Sequence, residues 1–326
     1  MELPTPDDVA AAATRIAAHV VRTPLLRSPA LDAAIGGTVL LKPEPLQRTG
    51  SFKLRGATNA IRQLDAAARA RGVVTHSSGN HGQAVACAAA AVGAPATVFM
   101  PADAPAIKRE ATASWGATVR LYDRARDDRE ALSRAHAEAT GQTVIPPFDH
   151  PHVIAGQGTA ALELAADARA AGLEMAALLV CTGGGGLVAG SALALAAASP
   201  ATRVHAVEPE GWDDTARSLA AGERVGNAPG GAGLCDALMA PMPGVLTFAV
   251  NRRLLAGGLV VTEDEVLAAM DFAFRHLKLV VEPGGAVALA ALLAGKFDAR
   301  GKVVGALLSG GNVDPAVFAR ALRRGG

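Results

Sequence analysis

Short aliphatic and β-branched runs alternate along this chain with alanine-rich stretches of helical length, and this alternation constrains the fold more than any other feature. The runs lie at residues 38–42, 73–76, 96–100, 118–122, 177–181, 204–208 and 303–309; the helical stretches include 82–92, 105–115, 128–140 and 158–171. Such alternation predicts an α/β architecture, with parallel strands joined by covering helices. Runs that are apolar throughout, such as AALLV before Cys181, belong in sheets buried on both faces. Aromatic residues make up only 3% of the chain, so Ala, Val and Leu must fill the core. A length of 326 residues suggests two domains or one large α/β unit. No low-complexity linker or fixed-period repeat marks a boundary.

The net charge of +1 provides no basic field, so nucleic acid is not an expected partner. The mixed-sign run RARDDRE at 124–130 reads as a solvated helix face. Cys87, Cys181 and Cys235 form neither a CxxC pair nor a zinc spacing. They read as buried reduced thiols, which suits a cytoplasmic location. The N-terminal MELPTPDD lacks the order of a signal peptide. Residues 176–199 are uncharged and long enough to span a bilayer, but four consecutive glycines interrupt them. A buried strand, a glycine loop and a buried helix explain the stretch, and no membrane partner is expected.

Five strand-end segments could carry chemistry. The first is Thr49-Gly50-Ser51-Phe52-Lys53-Leu54-Arg55-Gly56-Ala57. Its lysine is either a solvated surface residue or a partly desolvated amine beside a carbonyl cofactor. The second is Ser77-Ser78-Gly79-Asn80-His81-Gly82-Gln83. A strand, a glycine turn and a helix N-terminus suit an anion, although Ser78 or Asn80 could simply cap the helix. The third is Thr182-Gly183-Gly184-Gly185-Gly186-Leu187, whose glycines can aim several N–H groups at a phosphate. No lysine follows as in a P-loop, and no G-x-G-x-x-G is present, so nucleotide readings are weak. The fourth, Ser309-Gly310-Gly311-Asn312, reads alone as a turn. The fifth, Glu208-Pro209-Glu210-Gly211-Trp212-Asp213-Asp214, is either a solvated acidic turn or a hard-cation site.

Together these segments resemble the serine racemase and threonine dehydratase family of fold-type-II pyridoxal-phosphate enzymes. The similarity is ordered and covers most of the chain, from RTPLLRSPAL through LKPEPLQRTGSFKLRGATNA, THSSGNHGQAVA, MPADAPAIKREAT, DHPHVIAGQGT, TGGGGLVAG, AVEP and EPGGAV to LLSGGN. It implies two open, twisted, mostly parallel sheets: a large cofactor domain at 1–71 and 148–326, and a small mobile domain at 72–147. It also implies roles. Lys53 would carry pyridoxal phosphate as a Schiff base and, once displaced, take the Cα proton. Phe52 would pack on the cofactor ring, and Asn80 would hydrogen-bond its phenolic oxygen. Gly183, Gly184, Gly185, Gly186 and Leu187 would cradle the phosphate. Ser309 would meet the ring nitrogen, where a hydroxyl in place of a carboxylate favours prompt loss of a β-hydroxyl. Ser77, Ser78, Gly79 and His81 would receive the substrate carboxylate.

The resemblance therefore implies an ammonia-lyase that converts L-threonine or L-serine to a 2-oxo acid and ammonia. Ser78 stands where dedicated threonine dehydratases commonly carry alanine. A serine there could return a proton from the face opposite the lysine, so serine racemisation and threo-3-hydroxyaspartate elimination are the alternatives. Glu208, the main-chain oxygen of Trp212 and Asp214 match the racemase-like site for Mg²⁺ or another divalent cation, with a structural role. The chain stops soon after Ser309, without the regulatory domain of biosynthetic threonine dehydratases, so a catabolic enzyme is expected. The lysine motif lacks the Lys-Asp-Arg sequence of cysteine synthases, which argues against β-replacement. The expected partners are a small hydroxy amino acid and a second copy of the chain, as a homodimer. A non-catalytic pyridoxal-phosphate or amino-acid binding protein would have no need of a proton-transfer lysine.

Overall fold

The computed structural model describes residues 2–77, 79–104, 106–228, 230–231 and 233–323. Ser78, and Pro105 with its expected place in a first helical turn, lie outside the described residues. The strands are β1 (Thr38–Pro43), β2 (Val73–His76), β3 (Ala96–Pro101), β4 (Thr118–Tyr122), β5 (Thr143–Val144), β6 (Ala177–Cys181), β7 (Arg203–Pro209), β8 (Leu255–Val261) and β9 (Val303–Leu308). They form a five-stranded sheet in the order β1-β9-β6-β7-β8 and a four-stranded sheet in the order β4-β3-β2-β5. Every pairing within the two sheets is parallel. The four strands of the smaller sheet all fall between Val73 and Val144.

All seven runs read as strands from the sequence form strands. β5 and β8 carry weaker signals. β5 is two residues long, and β8 contains Gly257 and Gly258, which ordinarily weaken a strand. A side chain at Gly258 would lie 2.6 Å from the Ala216 Cβ, so packing rather than propensity selects glycine there.

The larger sheet is buried on both faces. Leu40, Leu178, Val180 and Leu307 pack with Ile154, Leu164 and Val188 on one side. Their strand neighbours Leu41, Leu179, Ala306 and Leu308 pack with Val287, Leu289 and Val266 on the other. Side chains alternate across a strand, so only a doubly covered sheet accepts an unbroken apolar run. The core of the smaller sheet joins Val73, Val98 and Met100 to Leu54, Ile61 and Val153, which lie outside 72–147 in sequence.

Two helix readings change. The helix expected from 158 begins at Pro151, with His150 as its cap. Its early glycines are contact points: a Cβ at Gly156 would lie 2.7 Å from the Arg55 carbonyl oxygen, and one at Gly158 would lie 2.4 Å from that of Gly190. The charged run at 124–130 is also not one helix face. Asp128 caps the helix Arg129–Thr140 by accepting from the N–H groups of Glu130 and Ala131, and the residues before it form an exposed turn. The uncharged stretch at 176–199 resolves into β6, the glycine loop and the helix Gly186–Ala198. Among the described residues no helix is long and apolar enough to cross a membrane. All three cysteines are free and buried.

Candidate active site

A cleft of about 990 Å³, including its open mouth, runs between the two sheets at the carboxyl ends of their strands. Parallel strands place their loops together at that edge, which is where open α/β sheets hold ligands. The cleft gathers Phe52, Lys53, Ser77, Gly79, Asn80 and His81 with the glycine loop, Leu187 and Ser309. Four segments separated in sequence thus meet in one place.

Lys53 opens the helix Lys53–Arg62. The turn before it is stitched to the end of β9: the Phe52 N–H donates to the Ser309 carbonyl at 3.0 Å, and the Gly311 N–H to the Gly50 carbonyl at 2.8 Å. Gly50 has φ +69°, and a side chain there would lie 2.4 Å from Asn312 Oδ1, so the turn requires glycine. Lys53 Nζ donates to the Pro147 carbonyl at 2.9 Å and lies 5.1 Å from the centre of the Phe52 ring. Burial pushes its pKa down to about 8, against the opposing pull of the Glu282 carboxylate. A neutral amine is therefore accessible near neutrality, as a nucleophile or base requires.

Two helices aim uncapped N-termini at the same cleft. Asn80–Ala90 begins behind Gly79, and Gly186–Ala198 begins behind Gly185; no side chain caps either. Gly79 takes the cap position, so Asn80, a cap candidate in the sequence, is instead the first residue of its helix. Each terminus presents free N–H groups and the positive end of a helix dipole, so each suits an anion. Phe148 crowds the glycine loop: a Cβ on Gly184 would lie 2.5 Å from its ring, and one on Gly186 would lie 3.0 Å from its Cβ. Thr247 Oγ1 donates to the Gly184 carbonyl at 2.8 Å and holds the loop from the other side.

His81 is buried, and its Nε2 donates to the Ile145 carbonyl at 2.9 Å. Burial lowers its pKa to about 3, with Lys53 adding to the effect, so the ring is neutral near pH 7. Ser77 Oγ accepts from the Gly79 N–H at 3.1 Å, which shapes the turn into the helix. Ser309 is 3% exposed and sits at the end of β9 beside the Lys53 turn.

Three features of the cleft had little or no sequence signal. Glu282 is buried, and its Oε1 accepts from Asn80 Nδ2 at 2.6 Å. Burial raises its pKa to about 7, with Asp236 adding to the rise while Lys108, Asn80 and Lys53 oppose it. Lys108, from the smaller sheet's side, pairs with Asp236 at 2.7 Å. Arg129 also lines the cleft, and among the described residues no carboxylate pairs with its guanidinium. In the sequence Arg129 was concealed in a charged run, and Glu282 lay in a motif without an assigned role.

The acidic turn after β7 forms a separate site. Glu208 is fully buried and accepts from the N–H groups of Thr215 and Ala216 at 2.9 and 2.8 Å. Burial raises its pKa to about 8, with Asp214 adding to the effect. Asp214 Oδ1 accepts from Asn227 at 2.7 Å, whereas its buried Oδ2 has no partner among the described residues. Trp212 lies two residues before Asp214, and its N–H donates to the Pro209 carbonyl. Among the described residues no group of three or more His, Cys, Asp or Glu could hold a metal, so a cation here would need main-chain oxygen as well.

Behind the Lys53 helix lies a buried charge cluster. Arg55 donates to both oxygens of Glu44, at 2.8 and 2.9 Å, and to both oxygens of Glu163, at the same two distances. Lys42 Nζ donates to Glu163 at 2.6 Å and to the Thr23 carbonyl at 2.7 Å.

Residues 16–310 match the family model described as "Pyridoxal-phosphate dependent enzyme". The chain is 45% identical over 327 residues to an L-threo-3-hydroxyaspartate ammonia-lyase of Pseudomonas sp, covering 99% of this chain and 100% of that protein. It is 42% identical over 320 residues to a serine racemase of Schizosaccharomyces pombe, covering 98% of each. The solved threonine deaminase of T.th. superposes with a TM-score of 0.89 at 44% identity, covering 95% of this chain and 99% of that one.

Proposed function

The chain belongs to the pyridoxal-phosphate-dependent enzyme family, and on that premise we propose that it is an ammonia-lyase acting on a β-hydroxy amino acid such as L-threonine or L-serine. Loss of the β-hydroxyl as water, followed by hydrolysis, yields a 2-oxo acid and ammonia. The observation that carries the reading is the convergence on one cleft of a desolvated Lys53 with two helix N-termini that no side chain caps.

The residues present fit the cofactor. The glycine loop, with no room for a Cβ at Gly184, would hold the phosphate, and Lys53 would hold the carbonyl carbon. Phe52 would lie against the ring, Asn80 would meet the phenolic oxygen and Ser309 the ring nitrogen. When bound, pyridoxal phosphate supplies the electron sink that acidifies the substrate Cα–H bond. The Asn80–Ala90 terminus, with Ser77, Gly79 and His81 around it, would orient the substrate carboxylate through main-chain N–H groups. Lys53 Nζ would accept the Cα proton, and the Pro147 carbonyl keeps the amine aimed into the cleft. Residues 72–147 carry Asn80, Lys108 and Arg129, so movement of this unit would close the cleft over substrate.

Only neutral Lys53 is a base. With its pKa lowered to about 8, the neutral fraction grows as pH rises towards that value. Uptake of a fixed low concentration of pyridoxal phosphate by the apoenzyme should therefore speed up about tenfold per pH unit well below that value and level off above it, because only the neutral amine attacks the cofactor carbonyl. A profile flat across neutrality would remove Lys53 from attachment of the cofactor carbonyl.

The second reading is elimination from threo-3-hydroxyaspartate, and Arg129, which pairs with no carboxylate among the described residues, favours it, because a guanidinium in the cleft suits a second substrate carboxylate. Arg129→Met should raise KM for hydroxyaspartate about tenfold or more and leave KM for L-serine within about twofold. Equal effects on both substrates would dismiss this reading.

Glu208, the Trp212 carbonyl and Asp214 would hold Mg²⁺ or a similar cation, a reading supported by Asp214 Oδ2, which has no partner among the described residues. The ion would tie the loop after β7 and stay out of the chemistry. The deciding experiment incubates the holoenzyme with L-threonine, L-serine, D-serine and threo-3-hydroxyaspartate, with and without chelator. Both oxo-acid formation and chiral inversion are scored. No oxo acid from any of them would sink the ammonia-lyase reading, and inversion in excess of elimination would make the protein a racemase.

A further inference from the structure

We infer that Glu282 and Asn312 are positioning residues that lock the Asn80 amide with its NH₂ edge towards the cofactor; the inference rests on the pyridoxal-phosphate reading of the cleft. The chain of hydrogen bonds has only one consistent polarity. Asn312 Nδ2 donates to the main-chain carbonyl of Thr49 at 2.8 Å and to Asn80 Oδ1 at 2.7 Å. A main-chain carbonyl can only accept, so Asn312 must present its NH₂ group there. Asn80 must then turn its oxygen to Asn312, which leaves its Nδ2 at the other end, 2.6 Å from Glu282 Oε1. One amide proton goes to Glu282. The second meets no protein acceptor among the described residues, and Asn80 lines the cleft. Asn80 therefore offers a donor to its neighbour in the cleft, as an anionic phenolic oxygen requires.

The seat of Glu282 supports this use. Glu282 stands at the cap position of the helix Pro283–Leu293, yet its side chain makes no capping bond. It reaches instead to Asn80, 202 residues away in sequence. A Cβ on Gly310 would fall 2.2 Å from Glu282 Oε1, so the turn after β9 makes room for the carboxylate. The Glu282 N–H donates to the Gly310 carbonyl at 3.0 Å and fixes its backbone. A carboxylate drawn away from its own helix and buried against one amide acts through that amide.

The test is titration of apoenzyme with pyridoxal phosphate, followed by tryptophan fluorescence and the visible absorbance of the bound cofactor. Glu282→Ala should weaken cofactor binding about tenfold and shift the visible band. Glu282→Gln, whose amide oxygen still accepts from Asn80, should stay within about threefold of wild type. Glu282→Ala combined with Asn80→Ala should be no weaker than Asn80→Ala alone, since both act through one contact. Asn312→Ala should also weaken binding about tenfold, and it carries the test if Glu282→Ala fails to fold. Wild-type affinity and spectrum in Glu282→Ala, or in Asn312→Ala where that variant carries the test, would overturn the inference, as would additive losses in the double variant. Failure of wild-type apoenzyme to take up the cofactor would instead sink the underlying reading, and the inference with it.

Discussion

Lys53→Ala is expected to abolish the visible absorbance of bound cofactor and to lower kcat/KM for elimination by at least about a thousandfold. Two roles end with one amine: attachment of the cofactor carbonyl and acceptance of the Cα proton. A general base alone is worth about 10²–10⁴ in rate, so their joint loss sets that floor. Fold should survive, because Nζ holds the Pro147 carbonyl by a single hydrogen bond, and the helix behind it is held by Leu54, Arg55 and Ile61. Circular dichroism and thermal melting of the apoenzyme check that point. Oxo-acid formation from L-threonine, L-serine and threo-3-hydroxyaspartate then measures activity. Turnover within tenfold of wild type in a folded variant would exclude Lys53 from the chemistry.

Arg55→Met should be the most destabilising single change in the Lys53 motif, costing about 3–5 kcal/mol. Arg55 and Glu44 are fully buried, and Arg55 satisfies both oxygens of Glu44 and of Glu163. Its removal leaves Glu44 with only the Thr23 hydroxyl among these donors and Glu163 with only Lys42. Uncompensated buried charge, not the lost attraction, accounts for the cost. The exposed pair Arg27–Asp32 is the control, and Arg27→Ala should change stability by no more than about 1 kcal/mol. Urea unfolding reads both. Similar small losses at the two sites would show that the cluster exchanges freely with water, against its burial.

Lys53 and Arg55 stand two residues apart in SFKLRGA, and residue type alone, as two cations, does not separate them. The tertiary structure separates them. A helix turns about 100° per residue, so positions two apart face different ways: Lys53 into the cleft, Arg55 into the interior. The resemblance pointed to Lys53 as the cofactor lysine, but only packing shows that Arg55 meets Glu44. The strands were legible for a similar local reason. Both faces of the larger sheet are covered, so its runs are apolar at every position and stand out without knowledge of the fold. β8 was not legible, because Gly258 is selected by the approach of Ala216 from another segment. The sequence shows this helix only from 158, although it begins at Pro151, because Gly156 and Gly158 answer to neighbouring backbones rather than to local conformation.

The site divides in the same way. Phe52 and Lys53 occupy a short motif at a helix start, and Asn80, the glycine loop and Ser309 short motifs after strands; a motif carries its chemistry wherever the fold places it. Glu282 and Asn312 draw their meaning from partners far away in sequence, and Arg129 from its place on the cleft wall, so no local pattern could assign them. The sequence by itself determined the α/β class, the strands of both sheets apart from β5 and β8, and the residue types able to hold a phosphate, a carbonyl and a carboxylate. The tertiary structure alone decided that these types meet in one cleft, that burial lowers the Lys53 pKa to about 8, and that the Asn80 amide faces a single way. Local propensity and periodicity are properties of adjacent residues, whereas desolvation and hydrogen-bond polarity arise only where distant segments exclude water together.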